Sequence, residues 1–415
     1  MRLCTGVRHA PIRSQAFLSA GLACLLAWPA AGIAQPAQEW LATVDQATSH
    51  VAGARGDRAR AIAWLAAFNA LDAIDPRYRP YPPSPAPVNA GAPAPAADAA
   101  LAAALYTALI VEPDADQALL VRRCRETLAG VKSAAERESG AVLGQQAALL
   151  LVARANDRLD RVEPKAPDAG PGIFTTPAYA KLPRSIAAAN LAPFGVRSVS
   201  SFDPGPPPSI GSSAASRDIA DVRAAGALAS TVRSGDQTAA ALFWNSGESS
   251  DFVAWEKTTL EARKLDALDV ARVAALDAMI SVDGTIVGTV LKVRYLHWRP
   301  EAAIAGPHAA PGDADASWQP LVRVPNSPQY PSGGAIGAGT IEVELPRLYA
   351  VNGAVEWRNS QTQQSRRWPN AAALVDELAA ARVCAGVHFR SSVEAGRRVG
   401  RQVATEILDR QLLPR

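Results

Sequence analysis

The stretch KVRYLHWRP at residues 292–300 places two cationic side chains, Lys292 and Arg299, seven positions apart and directly before a proline. Seven residues are close to two helical turns, so the sequence predicts that both side chains lie on one face of a helix that ends at Pro300. The chain has only six lysines, so a lysine on an apolar helix suggests a specific partner. By itself the pattern is more typical of a snorkelling lysine and an arginine that binds helix-end carbonyls.

A second segment, PSGGA at residues 331–335, has the pattern of a Ser-Gly-Gly turn that opens a helix of small residues. Glycines at a helix N-terminus leave several backbone N–H groups accessible to an anion, and Ser332 adds a hydroxyl. The alternative interpretation is an ordinary N-cap serine followed by a flexible turn.

The third segment, RVCAGVHFR at residues 382–390, separates Arg382 from His388 by six positions with a glycine between them. Arginine offers a planar fork of donors to an oxyanion, and a neutral imidazole can bond to phosphorus or coordinate the metal of a metal oxyanion. A single histidine in such a loop is usually structural, so this segment becomes informative beside the other two.

Taken in this order, the three segments resemble the signature of the vanadium-dependent haloperoxidases and their relatives, the type 2 phosphatidic acid phosphatases. The pattern in that superfamily is Lys-x6-Arg-Pro, then Pro-Ser-Gly-His, then Arg-x5-His. Similarity to the soluble bacterial haloperoxidase-like branch extends more loosely over most of the chain. The resemblance implies an all-α fold of two four-helix-bundle-like halves with long Pro/Gly-rich loops.

The resemblance also implies a pocket for a trigonal oxyanion, which is vanadate or phosphate in its place. The implied binding groups are Lys292, Arg299, Ser332, the Gly333 N–H, Arg382 and His388. In this assignment His388 is the catalytic residue, as apical ligand to vanadium or as nucleophile toward phosphorus. Three cations in a partly dry pocket offset the charge of such an anion. The other partners of a haloperoxidase are hydrogen peroxide and a halide, which is oxidised while vanadium keeps its oxidation state.

Two positions depart from the signature. Gly334 stands where the family has its acid–base histidine, and Ser392 stands four residues after His388, where aspartate is common. General acid–base help contributes roughly 10²–10⁴ in rate, so we expect weak or altered peroxidase activity with anion binding retained. Two alternatives stay open: a phosphatase that acts through a phospho-His388 intermediate, and a non-catalytic oxyanion-binding protein.

The remaining histidines and motifs offer no better site. On a common helix His297 is rotated away from the face of Lys292, while His308 lies in a loop and His50 lies far upstream. Zinc-binding, EF-hand and P-loop patterns are absent from the sequence, so ordinary zinc, calcium and nucleotide sites are not indicated. The glycines at 333–337 resemble a dinucleotide-binding loop, but no βαβ unit surrounds them.

The 415 residues are 48% hydrophobic and 20% charged, as in a globular protein, and apolar residues recur mainly at helical spacing. Helices are predicted over residues 57–74, 96–110, 116–139, 143–159, 217–244, 252–279, 283–296, 336–345, 370–382 and 392–412. Three stretches rich in Pro, Gly or Ser, at 80–95, 164–216 and 300–331, interrupt them. The sequence therefore predicts an N-terminal bundle over about 35–200 and a C-terminal bundle with the pocket over about 215–415.

The first 34 residues have the pattern of a secretory signal peptide, with three arginines, then an apolar run, then small residues. Its removal at about residue 34 predicts a periplasmic or secreted protein. The remaining chain has 39 basic and 39 acidic side chains, so nucleic acid is not expected as a partner. No later apolar run approaches the roughly 18 residues of a membrane span. Cys124 and Cys384 are expected to be small core residues, with a disulfide between them as the alternative.

Overall fold

The computed structural model describes residues 37–51, 53–88, 94–155, 168, 170–174, 188–245, 249–309, 312 and 314–415. The predicted signal peptide and part of the predicted linker over 164–216 lie outside these residues. In the described part, thirteen α-helices, a short 3-10 helix (Val199–Phe202) and one short two-stranded hairpin make up the regular structure. The predicted all-α fold class is therefore confirmed.

The helices and strands are numbered here in chain order. The helices are α1 (Ala37–Thr48), α2 (Ala54–Ile74), α3 (Ala97–Leu109), α4 (Gln117–Gly130), α5 (Ala134–Ala155), α6 (Ser213–Ala225), α7 (Gly235–Asn245), α8 (Ser249–Ala262), α9 (Ala267–Tyr295), α10 (Pro300–Ile304), α11 (Gly333–Arg347), α12 (Ala371–Cys384) and α13 (Arg390–Arg410). The antiparallel strands are β1 (Val355–Asn359) and β2 (Gln364–Trp368), with Val355 opposite Trp368. The sequence predicted neither α1 nor the hairpin.

Two predicted helices are divided in the structure. The predicted helix over 116–139 is interrupted between α4 and α5, and the predicted helix over 217–244 is interrupted between α6 and α7. Arg233 stabilises the second break, because its guanidinium donates to the carbonyl oxygens of Ala225 and Ala227 at 2.5 and 2.8 Å. These carbonyls have left the helical hydrogen-bond pattern and need another donor.

The opposite correction applies to α9. The predicted helices over 252–279 and 283–296 are in fact α8 followed by a continuous α9 of 29 residues. The Asp266 side chain accepts a hydrogen bond from the Asp269 N–H at 2.9 Å, so Asp266 is the N-cap that fixes the start of α9. The chain therefore breaks before this cap and not in the middle of the apolar run.

Helix α9 is the central helix of the core. It packs against α1, α2, α11 and α13, and one continuous apolar cluster includes residues from all five helices. In the described part of the chain, α9 is the one helix long and apolar enough to cross a membrane, but 78% of its most apolar window is buried inside the protein. Core helices of globular proteins have the same property, so α9 does not indicate a membrane span. The division into bundles at about 35–200 and 215–415 stays a prediction.

Both cysteines of the described chain are free and buried. The Cys124 thiol lies 3.8 Å from the Ala102 carbonyl oxygen, and burial raises its pKa to about 12. Cys384 ends α12 and is also buried. The interpretation of both as core residues is supported, and the alternative disulfide does not form.

A buried carboxylate ties a loop to the central helix. Asp283 on α9 is fully buried and accepts hydrogen bonds from the backbone N–H groups of Phe194, Gly195 and Val196 at 2.7 to 2.9 Å. Three consecutive donors converge on one side chain, so its loss leaves all three without an acceptor. Asp283 therefore fixes the loop over α9.

We expect Asp283→Ala to lower the free energy of unfolding by about 3–5 kcal/mol, because several donors lose a charged acceptor. Asp283→Asn keeps one acceptor oxygen and should lose about half as much. Denaturant unfolding followed by circular dichroism measures both changes. Asp409→Ala is the control, since Asp409 is only the exposed partner of Arg347 and should contribute less than about 1 kcal/mol. Equal losses in Asp283→Ala and the control would contradict this role.

Three glycines bring α11 and α13 into backbone contact. A Cβ added to Gly339 would lie 2.1 Å from a carbonyl oxygen of α13, and one added to Gly400 would lie 2.0 Å from the Ile336 carbonyl oxygen. A Cβ at Gly396 would lie 2.4 Å from the Ser332 carbonyl oxygen. No side chain fits at these distances, so the glycines hold the start of α11 directly against α13.

Candidate oxyanion site

The segment between α9 and α10 carries the first two site residues. Lys292 lies in the last turn of α9, and Leu296 then adopts a left-handed conformation with φ 42°. Arg299 follows as the N-cap of α10. The predicted single helix that ends at Pro300 is therefore wrong. The two cations come together because the chain turns at Leu296, and not because they share a helical face.

The Arg299 side chain is held by acceptors on both sides of its guanidinium. Its Nε and Nη2 lie 2.8 and 3.1 Å from the carbonyl oxygen and Oγ of Ser327. Its Nη1 lies 2.8 Å from the Val387 carbonyl oxygen and 3.1 Å from His388 Nε2. Arg299 is only 3% exposed, so these bonds fix the two loops against each other in the interior.

The start of α11 provides the predicted hydroxyl and backbone donors. Ser332 is fully buried, and its Oγ accepts a hydrogen bond from the Ala335 N–H at 3.4 Å, as the N-cap alternative predicted. This bond does not use the hydroxyl proton. Gly333 is the first residue of the helix, where N–H groups have no helical acceptor. A Cβ at Gly333 would lie 3.9 Å from Lys292 Cε, so these donors adjoin the lysine.

Arg382, near the end of α12, covers the position where the family signature has its acid–base histidine. A Cβ added to Gly334 would lie 3.0 Å from Arg382 Nε and 3.1 Å from its Cζ. Its Nη1 is 3.4 Å from the Trp244 carbonyl oxygen, and its Nε is buried without a hydrogen-bond partner. Burial lowers the pKa of Arg382 to about 10. An unpaired buried N–H is costly, and an anion would satisfy it.

His388 is brought into the pocket by the turn after α12. Gly386 has φ 79°, and a Cβ there would lie 2.5 Å from a neighbouring carbonyl oxygen, so this position requires glycine. His388 is 2% exposed. Burial, and then the charges of Arg299, Arg382 and Lys292, hold its pKa well below 6.5. The imidazole is therefore neutral at neutral pH, as a metal ligand or a nucleophile must be.

Lys292, Arg299, Arg382 and His388 form what we call the cationic cluster. Burial and the charges of the two arginines hold the pKa of Lys292 well below its ordinary value. Its Nζ donates to the Pro328 carbonyl oxygen at 2.5 Å. Within the described ranges, neither Lys292 nor Arg382 forms an ion pair with a carboxylate. Buried positive charges without a protein counterion favour a bound anion, so the donor set fits vanadate or phosphate.

A cavity of about 540 Å³ adjoins the cluster and extends between α9 and α11. Lys292, Ser327 and Gly333 line it near the cluster, while Asp277 and Glu344 line it further along the two helices. Burial raises the pKa of Asp277 to about 6 and that of Glu344 well above its ordinary value. The cavity gives a small molecule access to the oxyanion site.

The lowered pKa of Lys292 predicts a pH dependence of anion binding. As pH rises past this pKa, Lys292 loses its proton and its attraction for an anion, so affinity should fall at lower pH than for an ordinary lysine. Lys292→Arg should move this fall to higher pH, because arginine keeps its proton. Calorimetric titration with sulfate, whose charge is constant over the range, measures both profiles. Identical profiles for the two proteins would exclude Lys292 as the titrating group.

Sequence reasoning missed Gln329, which is fully buried beside His388. Its Oε1 lies 3.4 Å from His388 Nδ1, and its Nε2 lies 2.6 Å from His297 Nδ1. Ser392, noted only as a departure from the signature, donates from Oγ to the Gln329 carbonyl oxygen at 2.8 Å. The carbonyl oxygen of Ser392 accepts a hydrogen bond from the Ser332 N–H at 3.1 Å. The one sequence signal for Gln329 is its position two residues before the Pro-Ser-Gly segment.

Comparisons with known proteins bear on the fold. Residues 272–412 match the family model of the VCPO second helical-bundle domain. A bacterial vanadium-dependent iodoperoxidase has a TM-score of 0.75 at 19% identity, covering 92% of this chain and 99% of that one. The apo form of a bacterial vanadium-dependent chloroperoxidase has a TM-score of 0.62 at 16% identity, and the alignment covers 88% of this chain and 96% of that one. The holo form of a bacterial vanadium-dependent chloroperoxidase has a TM-score of 0.62 at 15% identity, and the alignment covers 87% of this chain and 93% of that one. No curated protein matches the chain.

The fold is therefore that of the bacterial vanadium-dependent haloperoxidases. The matched second-bundle region contains all three motif segments, at 292–300, 331–335 and 382–390. The superfamily resemblance inferred from those motifs is thereby confirmed.

Proposed function

We propose that this protein binds vanadate at the cationic cluster and is a vanadium-dependent haloperoxidase-like protein. The observation that carries the proposal is the buried Arg382 guanidinium, whose Nε has no partner and which forms no ion pair with a described carboxylate. It lies in the same cluster as Lys292 and Arg299. Phosphate presents similar oxygens and charge and can occupy the same site in place of vanadate.

Each residue of the pocket has a separate task in this proposal. Lys292, Arg299 and Arg382 offset the charge of the anion, and the Ser332 hydroxyl and Gly333 N–H donate to its oxygens. His388 presents a neutral imidazole nitrogen to vanadium. Bound vanadate supplies a Lewis-acidic centre for the activation of hydrogen peroxide and the oxidation of a halide. Arg299 would have to release His388 Nε2 when the imidazole binds vanadium, because its Nη1 lies on that nitrogen.

We further propose that the peroxidase activity is weak or altered. Gly334 supplies no acid–base group, and the side chain over it is Arg382. A pKa of about 10 keeps Arg382 protonated at neutral pH, so it cannot accept a proton from peroxide. The rate contribution of general acid–base catalysis, roughly 10²–10⁴, is therefore absent at this position.

A second candidate function is the hydrolysis of phosphomonoesters through a phospho-His388 intermediate. The strongly lowered pKa of His388 favours it, because the imidazole stays an unprotonated nucleophile even in mild acid. The proton for the leaving group would then come from water. A third candidate is a non-catalytic oxyanion-binding protein, which the crowding of Gly334 by Arg382 favours.

Export to the periplasm or the medium is part of the proposal, and the signal pattern in residues 1–34 supports it. N-terminal sequencing of protein from the periplasmic fraction should give a start at about residue 35. A retained Met1 in cytosolic protein would contradict export.

Calorimetric titration of the purified protein with vanadate tests the proposed site directly. We expect tight, micromolar binding in the parent and its loss in His388→Ala, which removes the imidazole proposed to bond to vanadium. His308→Ala is the matched control, because His308 is exposed and lies outside the cationic cluster. Unchanged binding in His388→Ala would remove the central assignment.

Activity assays then separate the three candidates. Peroxide-dependent bromination of a phenolic dye supports the haloperoxidase function, and turnover of p-nitrophenyl phosphate supports the phosphatase function. Vanadate binding without either activity supports the non-catalytic protein. His388→Ala should abolish whichever activity is found.

A further inference from the structure

Gln329 links two buried histidines through its side-chain amide. Its Oε1 lies 3.4 Å from both His388 Nδ1 and the Phe389 backbone nitrogen, and its Nε2 lies 2.6 Å from His297 Nδ1. The Gln329 backbone is fixed as well, because its N–H donates to the His297 carbonyl oxygen and its carbonyl oxygen accepts from Ser392. The amide therefore has little freedom to move away from either ring.

The orientation of this amide follows from its neighbours. A backbone N–H can only donate, so the amide atom that faces Phe389 must be the oxygen. The amide nitrogen then faces His297 Nδ1, which must accept. Because the oxygen also faces His388 Nδ1, that nitrogen must carry the proton. The Phe389 backbone N–H, which can only donate, thus determines the orientation of the Gln329 amide. Through the amide it also determines that His297 Nδ1 accepts and that His388 Nδ1 is protonated.

A second donor confirms the same assignment at the other side of the ring. Arg299 Nη1 lies 3.1 Å from His388 Nε2, and a guanidinium has donors only. His388 Nε2 must therefore be an unprotonated acceptor, which again leaves the proton on Nδ1. Phe389 and Arg299 act on opposite sides of the network and require the same tautomer.

We infer that Gln329 is a positioning residue that holds the proton of His388 on Nδ1 and directs the Nε2 lone pair toward the cationic cluster. The tautomer itself follows from the hydrogen bonds alone. Its role rests on the proposed function, in which this lone pair would bind vanadium or phosphorus. The same amide keeps His297 as the Nε2–H tautomer. His297 Nδ1 is thereby occupied and cannot accept a proton from another molecule.

Nitrogen NMR of protein labelled with 15N-histidine tests the inference without any oxyanion. Protonated and unprotonated imidazole nitrogens have well-separated shifts, and variants of the other histidines assign the signals. We expect His388 to be protonated on Nδ1 and His297 on Nε2 in the parent. Finding His388 protonated on Nε2 would overturn the inference.

Two variants at position 329 give different expected results. In Gln329→Glu the carboxylate still accepts from His388 but cannot donate to His297, so His297 should move its proton to Nδ1 while His388 keeps its tautomer. In Gln329→Leu the side-chain amide is lost to both rings, so His297 should show a mixture of tautomers. His388 should lose only part of its preference for the Nδ1 proton, because the Arg299 donor and the Gln329 backbone carbonyl remain. A purely structural role would move neither equilibrium in Gln329→Glu. Unchanged tautomers of both rings in Gln329→Glu would contradict the inference, whether or not Gln329→Leu folds.

Vanadate affinity supplies the functional measurement. Loss of a residue that orients a ligating histidine typically costs 10–100-fold in metal affinity, so we expect that loss in Gln329→Leu. Equal affinity of Gln329→Leu and the parent would overturn the positioning role. If the parent itself binds no vanadate, the proposed function fails while the tautomer measurement still decides the inference.

Discussion

Gly334→His is expected to raise peroxide-dependent bromination at least tenfold. The substitution restores an imidazole at the position that has the acid–base histidine in the family signature. General acid–base help contributes roughly 10²–10⁴ in rate, and only part of it is expected here because the new ring must share space with Arg382. The steady-state rate of dye bromination, measured at saturating vanadate, reports the gain.

The space for this histidine depends on Arg382. An added Cβ lies 3.0 to 3.3 Å from three atoms of that side chain, which is closer than an ordinary contact. Arg382 makes one long hydrogen bond, to Trp244, so a shift of a few tenths of an ångström costs little. Gly334→Ala is the control, because it introduces the crowding without the imidazole and should give no gain. Equal rates for the histidine and alanine variants would show that the pocket lacks more than an acid–base group.

Arg382→Met is expected to lower vanadate affinity about a hundredfold. Removing one charge from a desolvated site costs about 2–5 kcal/mol, which corresponds to a factor of roughly 30 to 5,000 in the dissociation constant. Methionine has a similar length and apolar character, so the packing of the stem is kept. Calorimetry against vanadate measures the change, and Arg401→Met, which removes a partly exposed ion pair with Glu342, is the matched control.

The same variant should be more stable than the parent when no oxyanion is present. Arg382 is buried, its Nε has no partner, and its charge repels that of Lys292. Its removal relieves this repulsion, so the thermal midpoint should rise by about 2–4 °C. Stability and affinity thus change in opposite directions. A variant that lost both would indicate a structural role for Arg382 and not an anion-binding one.

The sequence predicted that Lys292, Arg299, Arg382 and His388 lie together, as they do in the structure, but it did not predict how the chain brings them together. The spacing of Lys292 and Arg299 suggested one helical face, whereas the left-handed Leu296 ends the helix between them. Nothing in the local sequence favours that conformation, since leucine avoids it. Tertiary contacts impose it, including a 2.7 Å hydrogen bond from the Phe174 N–H to the Leu296 carbonyl oxygen.

Some helix boundaries could be predicted from the local sequence and others could not. Asp266 and Asp269 are a local capping signal for the start of α9, so that boundary was present in the sequence. The break between α6 and α7 depends on Arg233, which binds carbonyls of both α6 and the end of α12, 151 residues further along the chain. Periodicity within a segment contains no information about such a contact.

Gln329 and Arg382 show what motif reasoning leaves out. Glutamine has no charge and belongs to no catalytic pattern, so its bonds to two histidines appear only when the chain is folded. The sequence indicated Arg382 as an anion-binding residue and Gly334 as a missing histidine, as separate facts. The structure joins them, because the guanidinium lies directly over the glycine.

The backbone contact between α11 and α13 has a practical consequence for protein engineering. A mutant library aimed at new substrates should leave Gly339, Gly396 and Gly400 unchanged, because any side chain there must push two helices apart. Diversity is better introduced at Ile341 and Trp357, which line the neighbouring cavity and are half-buried. Changes at these two positions can reshape the space for an organic molecule while the frame around the proposed oxyanion site is preserved.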